Sequence, residues 1–439
     1  MQFKEDTLLD RRWSWSLTIV AAILLNGVVG ITPTFAQSIV AVVAVGTSPA
    51  GVAVNPATNR IYVANQRGSS VSVINGATNG VVATIPVGNG PAFLAVNPSN
   101  NRVYVTNGFS NSVSVIDGAS NQVIATISVG TQPTRVAVAP SGNRVYVANF
   151  ESDNVSVIDG ATNAVIATVA VGIRPTAIAV NGNTNRIFVT DTNGKTVSVI
   201  DGSTNQVVAT VPVGISPQAI TLNPVSNRVF VANNGSNDVT VIDGANNTVM
   251  TTIPVGRQPL GIVANPVTGL VYVGNFATNN VSVINADTNK VVATVAVGTG
   301  PDSIALNSSL NRIYVVNEQS NNVSAIDGNQ NSVIATLPVG TQPQALAVNV
   351  STGHVYVTNA GSNSVTVISE QAAPAAPPAL GVLPAATPTP APSATIPAPS
   401  ATAPKLPQTG GAPIGVFGLV STALLALGVA VRGLAGSHR

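Results

Sequence analysis

Short apolar runs separated by polar turn residues cover most of the chain. In one representative stretch the runs are Thr134–Ala139, Arg144–Ala148, Val155–Ile158 and Val165–Val171. They are rich in Val, Ile, Tyr and Thr, and Gly, Pro, Asn or Asp residues bound them. No window of this stretch has the apolar spacing of an amphipathic helix. The pattern therefore predicts four short antiparallel strands.

The same pattern occurs eight times with a period of 42 residues and without insertion or deletion. Each copy carries a Val-Gly dipeptide, a proline three residues later, and an aromatic residue in fixed register. The glycines are Gly46, Gly88, Gly130, Gly172, Gly214, Gly256, Gly298 and Gly340. The prolines are Pro49, Pro91, Pro133, Pro175, Pro217, Pro259, Pro301 and Pro343. The aromatic residues are Tyr62, Tyr104, Tyr146, Phe188, Phe230, Tyr272, Tyr314 and Tyr356. Four-stranded units repeated at this period are typical of propeller blades.

The ends of the repeat array predict how the ring closes. The first copy begins at its fourth strand, Ile39–Val45, and the last copy ends near Ile368 without a fourth strand. Pairing of Ile39–Val45 with Val365–Ile368 completes eight blades and removes the exposed edges of an open array. We therefore expect an all-β fold, a single eight-bladed β-propeller of four-stranded antiparallel blades over residues 37–370.

Three repeated residue types have conformational explanations. We expect Gly46 and its copies to adopt positive φ, and the following proline to begin a strand without needing a hydrogen bond from its nitrogen. Asn65 and its copies end the second strand, where an asparagine side chain caps a turn. One copy departs from this pattern and carries Asp191.

The run Tyr-Val-Ala/Thr-Asn, at Tyr62–Asn65, Tyr104–Asn107 and Tyr146–Asn149, together with Val-Ser-Val-Ile-Asp at Val113–Asp117, resembles the YVTN family of β-propeller repeats. The resemblance extends over about residues 38–369. It implies an extracellular or surface-layer type of protein.

Residues 1–36 have the organisation of a secretory signal peptide. Three basic residues precede an apolar run from Leu17 to Gly30, and Ala36 provides a small residue at the expected cleavage site. The alternative is an uncleaved anchor. We expect removal, because only two residues separate Ala36 from the first predicted propeller strand, which begins at Ile39.

Residues 371–405 are dense in Pro, Ala, Thr and Ser and predict a semi-rigid, polyproline-like spacer. Residues 406–439 resemble a sortase sorting signal. Its pentapeptide consists of Leu406, Pro407, Gln408, Thr409 and Gly410, and an apolar tail with terminal basic residues follows. The resemblance implies cleavage after Thr409, and it implies sortase and cell-wall peptidoglycan as partners, with transient membrane association through the tail. The alternative is a retained membrane anchor, since the apolar tail is near the minimum spanning length.

Charge and cysteine content exclude several classes of function. Five of the 18 basic and three of the 16 acidic residues lie in residues 1–36 and 410–439, which leaves 13 of each in the intervening chain. A net charge near zero argues against a nucleic-acid partner. The chain has no cysteine, which is compatible with a secreted protein stabilised by packing.

Residues with catalytic chemistry are scarce. Residues 37–409 contain one histidine, His354, in a position where other copies carry arginine. The recurring Asp-Gly turns lie one per blade and are therefore far apart. The side chains predicted for the inner strands are also apolar and small. The sequence therefore predicts that the protein is not an enzyme and has no catalytic residues, no metal site and no cofactor.

Residues that break the repeat are the candidates for a binding site, since loops on a rigid scaffold concentrate binding residues. Those predicted to share one face are Arg135, Arg174, Lys195, Arg257, Glu151 and Asp302. The leading hypothesis is a secreted, wall-anchored surface module that binds or adheres to an unknown extracellular protein or glycan. The alternatives are an extracellular propeller enzyme of lactonase or lyase type, and a purely structural coat component.

Overall fold

The computed structural model describes residues 37–139 and 142–370. These residues form 32 β-strands and no α-helix within the described ranges. The first strands of the eight blades are β2 (Pro49–Asn55), β6 (Pro91–Asn97), β10 (Pro133–Ala139), β14 (Pro175–Asn181), β18 (Pro217–Asn223), β22 (Pro259–Asn265), β26 (Pro301–Asn307) and β30 (Pro343–Asn349). The second strands are β3 (Arg60–Asn65), β7 (Arg102–Asn107), β11 (Arg144–Asn149), β15 (Arg186–Asp191), β19 (Arg228–Asn233), β23 (Leu270–Asn275), β27 (Arg312–Asn317) and β31 (His354–Asn359).

The third strands are β4 (Ser70–Asn75), β8 (Ser112–Asp117), β12 (Asn154–Asp159), β16 (Thr196–Asp201), β20 (Asp238–Asp243), β24 (Asn280–Asn285), β28 (Asn322–Asp327) and β32 (Ser364–Ser369). The fourth strands are β5 (Gly80–Pro86), β9 (Gln122–Ser128), β13 (Ala164–Ala170), β17 (Gln206–Pro212), β21 (Thr248–Pro254), β25 (Lys290–Ala296), β29 (Ser332–Pro338) and, for the last blade, β1 (Ser38–Ala44). We number the blades 1 to 8 from the one that begins with β2.

Each blade is one four-stranded antiparallel sheet, and the first strands of consecutive blades lie side by side around a complete ring. The order of the last sheet is β1-β32-β31-β30, with Ser38 opposite Ser369 and Ala44 opposite Ser364. The eight-bladed propeller and its closure by the N-terminal strand are thus confirmed. The closing strand begins and ends one residue earlier than predicted.

Several predicted segments lie outside the described residues. They are the signal peptide (residues 1–36), the spacer (371–405) and the sorting signal (406–439). In the part of the chain that the structure describes, no helix is both long and apolar enough to cross a membrane.

The core lies between neighbouring blades. The two middle strands of each sheet are buried on both faces, as in β7, where Val103, Tyr104 and Val105 have no exposed surface. Tyr104 packs with Val145 and Val147 of the next blade. Burying one such Val side chain contributes about 1.5–3 kcal/mol, so this repeated packing stabilises the ring without disulfides.

The proline of each copy begins a first strand, as predicted, but the glycine three residues earlier has a different role from the one predicted. Gly130 and its Val-Gly counterparts do not adopt positive φ; the residue just before each proline does, as Gln132 does at φ 53°. A Cβ at Gly130 would come within 2.7 Å of Asn149 and would also meet Ser152. The glycine is therefore required by close approach of the chain and not by its own backbone conformation.

The side chain of the asparagine that ends each second strand stabilises the following turn by hydrogen bonds, as predicted. Asn107 Nδ2 donates to Ser112 Oγ at 3.2 Å and to Ser114 Oγ at 2.9 Å. This side chain lies beneath the turn that joins the second and third strands, and it holds that turn at one end of the ring. We call this end the upper face.

Candidate functional site

The candidate site lies at the upper end of the channel that runs along the axis of the ring. Each first strand begins at the upper face with its proline, and the one or two residues that follow face the axis. They enclose a cavity of about 510 Å³ to which all eight blades contribute. One lining residue from each blade, in the order of blades 1 to 8, is Ala50, Phe93, Arg135, Ala177, Gln218, Leu260, Asp302 and Gln344. We call this cavity the axial pocket.

A local irregularity in each first strand turns these side chains inward. In β10 the pairing with β11 shifts between Pro133 and Val136, and in β26 the pairing with β27 shifts between Pro301 and Ile304. Such a bulge re-aims side chains relative to the regular alternation of a strand. As a result, Arg135 lies in the pocket, although the regular strand positions that follow it are apolar.

Arg135 is held on an aromatic surface inside the ring. Its Cζ atom lies 3.8 Å from the centroid of the Phe93 ring of the preceding blade, which is a cation–π contact. The side chain is exposed to the water of the channel, yet protein surrounds that channel on all sides. This enclosure disfavours the charged form and lowers the pKa of Arg135 to about 10, so the guanidinium remains charged at neutral pH.

Carboxylates lie on the opposite side of the pocket. Asp302 belongs to blade 7, half a turn of the ring from blade 3, which carries Arg135. Its negative charge raises the pKa of Arg135 and partly offsets the effect of enclosure. Glu318 also lines the pocket, from the loop after β27. The pocket is therefore positive on one side and negative on the other.

The rest of the lining combines amides with small or apolar side chains. Gln218 and Gln344 add amide groups that both donate and accept hydrogen bonds, and Ser303 adds a hydroxyl. Leu260 and Ala177 are apolar. A few convergent polar groups in a partly apolar cavity of this size are typical of a small-molecule site.

A second cavity of about 480 Å³ lies at the outer edge of the last blade. Its lining includes Ile39, Val42 and Pro338 and contains no ionisable side chain. Among the described residues, no group of three or more His, Asp or Glu side chains is placed to hold a metal ion. His354 begins β31, and burial lowers its pKa. The axial pocket is therefore the candidate site.

The structure brings together two of the six predicted site residues, Arg135 and Asp302, in the axial pocket. Arg174 instead pairs with Glu151, its Nη2 atom 3.3 Å from Oε1, and its Cζ atom lies 5.1 Å from the centroid of the Phe150 ring. Lys195 and Arg257 are exposed and do not line the pocket.

The strand register explains why the loops before the first strands and after the second strands lie on one face, as predicted. Pro133, which begins β10, is opposite Asn149, which ends β11, so the loops next to these residues lie at one end of blade 3. Arg144 and Asp159, in contrast, are paired at the other end.

Five residues that line the pocket were not among the predicted site residues: Phe93, Gln218, Ser303, Gln344 and Glu318. From the sequence, Glu318 is recognised only as a departure from the repeat on the predicted face. The other four occupy the same two positions after the proline that Asp302 and Arg135 occupy, and alanine or glycine fills many of the equivalent positions in other blades. Comparison of these two positions across the eight copies identifies the residues. The expectation that the inner strands are apolar and small is wrong at their upper ends.

A family model described as "Lactonase, 7-bladed beta-propeller" matches residues 82–171. The matched part covers about a fifth of the chain and includes Phe93 and Arg135 but not Asp302. It comes from a seven-bladed family, whereas this ring has eight blades. A search of curated proteins found no match.

Solved structures share the fold. The hydrazine synthase of Kuenenia stuttgartiensis has 20% sequence identity and a TM-score of 0.55, with 74% of this chain and 96% of that chain covered. The dihydro-heme d1 dehydrogenase NirN, in complex with DHE, has 13% identity and a TM-score of 0.61, with 72% of each chain covered. At these identities the likeness establishes a β-propeller and nothing finer.

The prediction that the protein is not an enzyme is contradicted by the family match. The family model that matches residues 82–171 is one of lactonases. The regular, apolar positions of the inner strands do not indicate the chemistry of the channel, because the register of each first strand shifts at its upper end. Guanidinium, carboxylate and amide groups line its upper end.

Proposed function

We propose that the protein is an extracellular propeller enzyme of lactonase type, which hydrolyses a cyclic ester in the axial pocket. The observation that carries this proposal is the opposition of Arg135 and Asp302 across a cavity of about 510 Å³. The match of residues 82–171 to a lactonase family supports the choice of reaction. A guanidinium facing a carboxylate across a small cavity provides an electrophilic and a basic group for one bound carbonyl.

Arg135 stabilises the negative charge that develops during hydrolysis. Attack of water on a lactone carbonyl moves charge onto the carbonyl oxygen, and a donor already oriented toward that oxygen lowers the barrier. The contact with the Phe93 ring fixes the plane of the guanidinium before the substrate arrives. Because the pKa of Arg135 is about 10, the group is a charged donor throughout the neutral range.

Asp302 acts as the general base. It accepts a proton from the attacking water while the new carbon–oxygen bond forms, and the ring ester bond then breaks. The same proton passes to the departing alkoxide, so the product is a hydroxy acid and Asp302 returns to its ionised state. Gln218 and Gln344 hydrogen-bond the remaining polar atoms of the substrate and orient it.

A turnover screen tests this proposal. The purified protein is offered a panel of γ- and δ-lactones, and acid release is followed at constant pH. We expect hydrolysis of at least one lactone, and a loss of at least about a hundredfold in kcat in Asp302→Asn, as expected for a general base. Asp287→Asn, in a turn after β24, is the matched control and keeps full activity. Binding of lactones without turnover would identify the pocket as a binding module instead.

We also propose that the enzyme is exported and anchored to the cell wall, through removal of residues 1–36 and sortase cleavage after Thr409. The support is the three-part organisation of each chain end in the sequence. Enzymatic digestion of the wall and mass spectrometry of the released protein test the anchor. The expected C-terminal peptide ends at Thr409 and carries a peptidoglycan fragment, whereas recovery of peptides from 414–431 would indicate a retained membrane anchor.

A further inference from the structure

The charges of the axial pocket do not balance. Arg135 is the single basic side chain in the described lining, whereas blade 7 contributes both Asp302 and Glu318. Asn317, which precedes Glu318, is paired with Pro301, which precedes Asp302. The two acidic residues therefore lie near each other, with Glu318 closer to the upper face.

The proposed reaction has no role for Glu318. The side chain is half-buried, and no described residue forms an ion pair with it. A confined carboxylate without a cationic partner favours a ligand that brings a positive charge. A substrate with an additional anionic group would instead meet two like charges on this side of the pocket.

We propose that the substrate carries a protonated amine, as an amino-acid-derived lactone does, and that Glu318 binds this ammonium group. The carbonyl of the substrate then lies toward Arg135 and its amine toward blade 7, so the charge distribution of the substrate matches that of the pocket. This inference rests on the proposed function and names the substrate class of the same site. A cavity of about 510 Å³ is of the size that holds a small molecule of this kind.

Binding of lactams tests the inference without requiring turnover, because an amide ring replaces the ester that would be hydrolysed. Calorimetric titration of the whole protein compares three probes: the α-amino γ-lactam, the unsubstituted γ-lactam and the γ-lactam carrying a carboxylate. We expect the amino-lactam to bind at least about tenfold more tightly than the unsubstituted ring, the size of effect that a partly enclosed ion pair provides. Addition of salt should weaken binding of the amino-lactam and leave binding of the uncharged, unsubstituted ring unchanged.

The variant Glu318→Gln keeps the shape of the side chain and removes its charge. We expect it to abolish the preference for the amino-lactam and to leave the affinity for the unsubstituted ring within about twofold. Asp287→Asn removes a carboxylate outside the pocket and should preserve the preference. The melting temperature of each variant verifies that the fold is retained.

The two proposals fail in different ways. Preferential binding of the amino-lactam, without hydrolysis of any lactone, would overturn the reaction and retain the ligand class. Equal affinities for the amino-lactam and the unsubstituted ring, tightest binding of the carboxylated ring, or binding of none of the three would overturn the inference. An undiminished preference in Glu318→Gln would overturn the role of that residue.

Discussion

Replacement of Asp191 by asparagine should stabilise the propeller at neutral pH. Asp191 ends β15, and its side chain is fully buried. The other seven blades have asparagine at this position. Oδ2 accepts hydrogen bonds from Thr196 Oγ1 at 2.9 Å and Ser198 Oγ at 2.8 Å, whereas no described residue contacts Oδ1 by a hydrogen bond. These bonds compensate only part of the cost of burying the charge.

The pKa of this carboxyl gives the magnitude and the direction of the effect. Burial raises the pKa of Asp191 from 3.8 to about 6, although the hydroxyl and backbone hydrogen bonds act in the opposite direction. A group whose pKa is higher in the folded state binds protons more tightly there, so the folded state loses stability as pH rises from about 4 through 6. At pH 7 the loss is about 3 kcal/mol, which the neutral asparagine avoids.

Urea unfolding of wild type and Asp191→Asn between pH 4 and pH 8 measures this effect. We expect equal free energies of unfolding near pH 4 and an advantage for the variant that grows to about 3 kcal/mol by pH 7. The converse change, Asn107→Asp, places the same carboxyl between Ser112 and Ser114 and should destabilise the protein at pH 7 by a similar amount. An advantage of Asp191→Asn that is independent of pH, or absent at pH 7, would refute the reasoning.

Two further predictions concern the architecture. Deletion of the closing strand Ser38–Ala44 exposes an edge of the last sheet and should lower the melting temperature or cause aggregation; a monomeric deletion variant with unchanged melting temperature would contradict the closure. Gly130→Ala should destabilise the fold by about 1–3 kcal/mol because its Cβ would come within 2.7 Å of Asn149, whereas Gly182→Ala, with no atom within 4 Å, should be neutral in the same melting assay.

The fold could be predicted because its determinants are local and repeated. Strand length and turn residues are visible in one copy, the 42-residue period is visible from the spacing of the eight copies, and the incomplete first and last copies indicate how the ring closes. The conformation of Gly130 could not be predicted in this way. Its requirement arises from Asn149 and Ser152, which approach it only after the blade has folded.

The site was only partly predictable, because it consists of single residues from separate blades. Arg135 and Asp302 could be recognised as departures from the repeat, but Phe93, Gln218 and Gln344 resemble ordinary variation until the ring brings them to one axis. Arg174, in contrast, was predicted as a site residue and does not line the pocket. It departs from the repeat as clearly as Arg135, yet it pairs locally with a neighbouring acid instead of facing the pocket.

The central claim is that the axial pocket is the active site, and the effect of Arg135→Met on kcat/KM for lactone hydrolysis tests it most directly. Arg67→Met removes the same charge from an exposed position near the upper face outside the pocket and is the matched control. We expect kcat/KM to fall about 10²- to 10³-fold in Arg135→Met, as for loss of an oxyanion donor, and to remain unchanged in Arg67→Met. Equal activity of the two variants would contradict the assignment of the site.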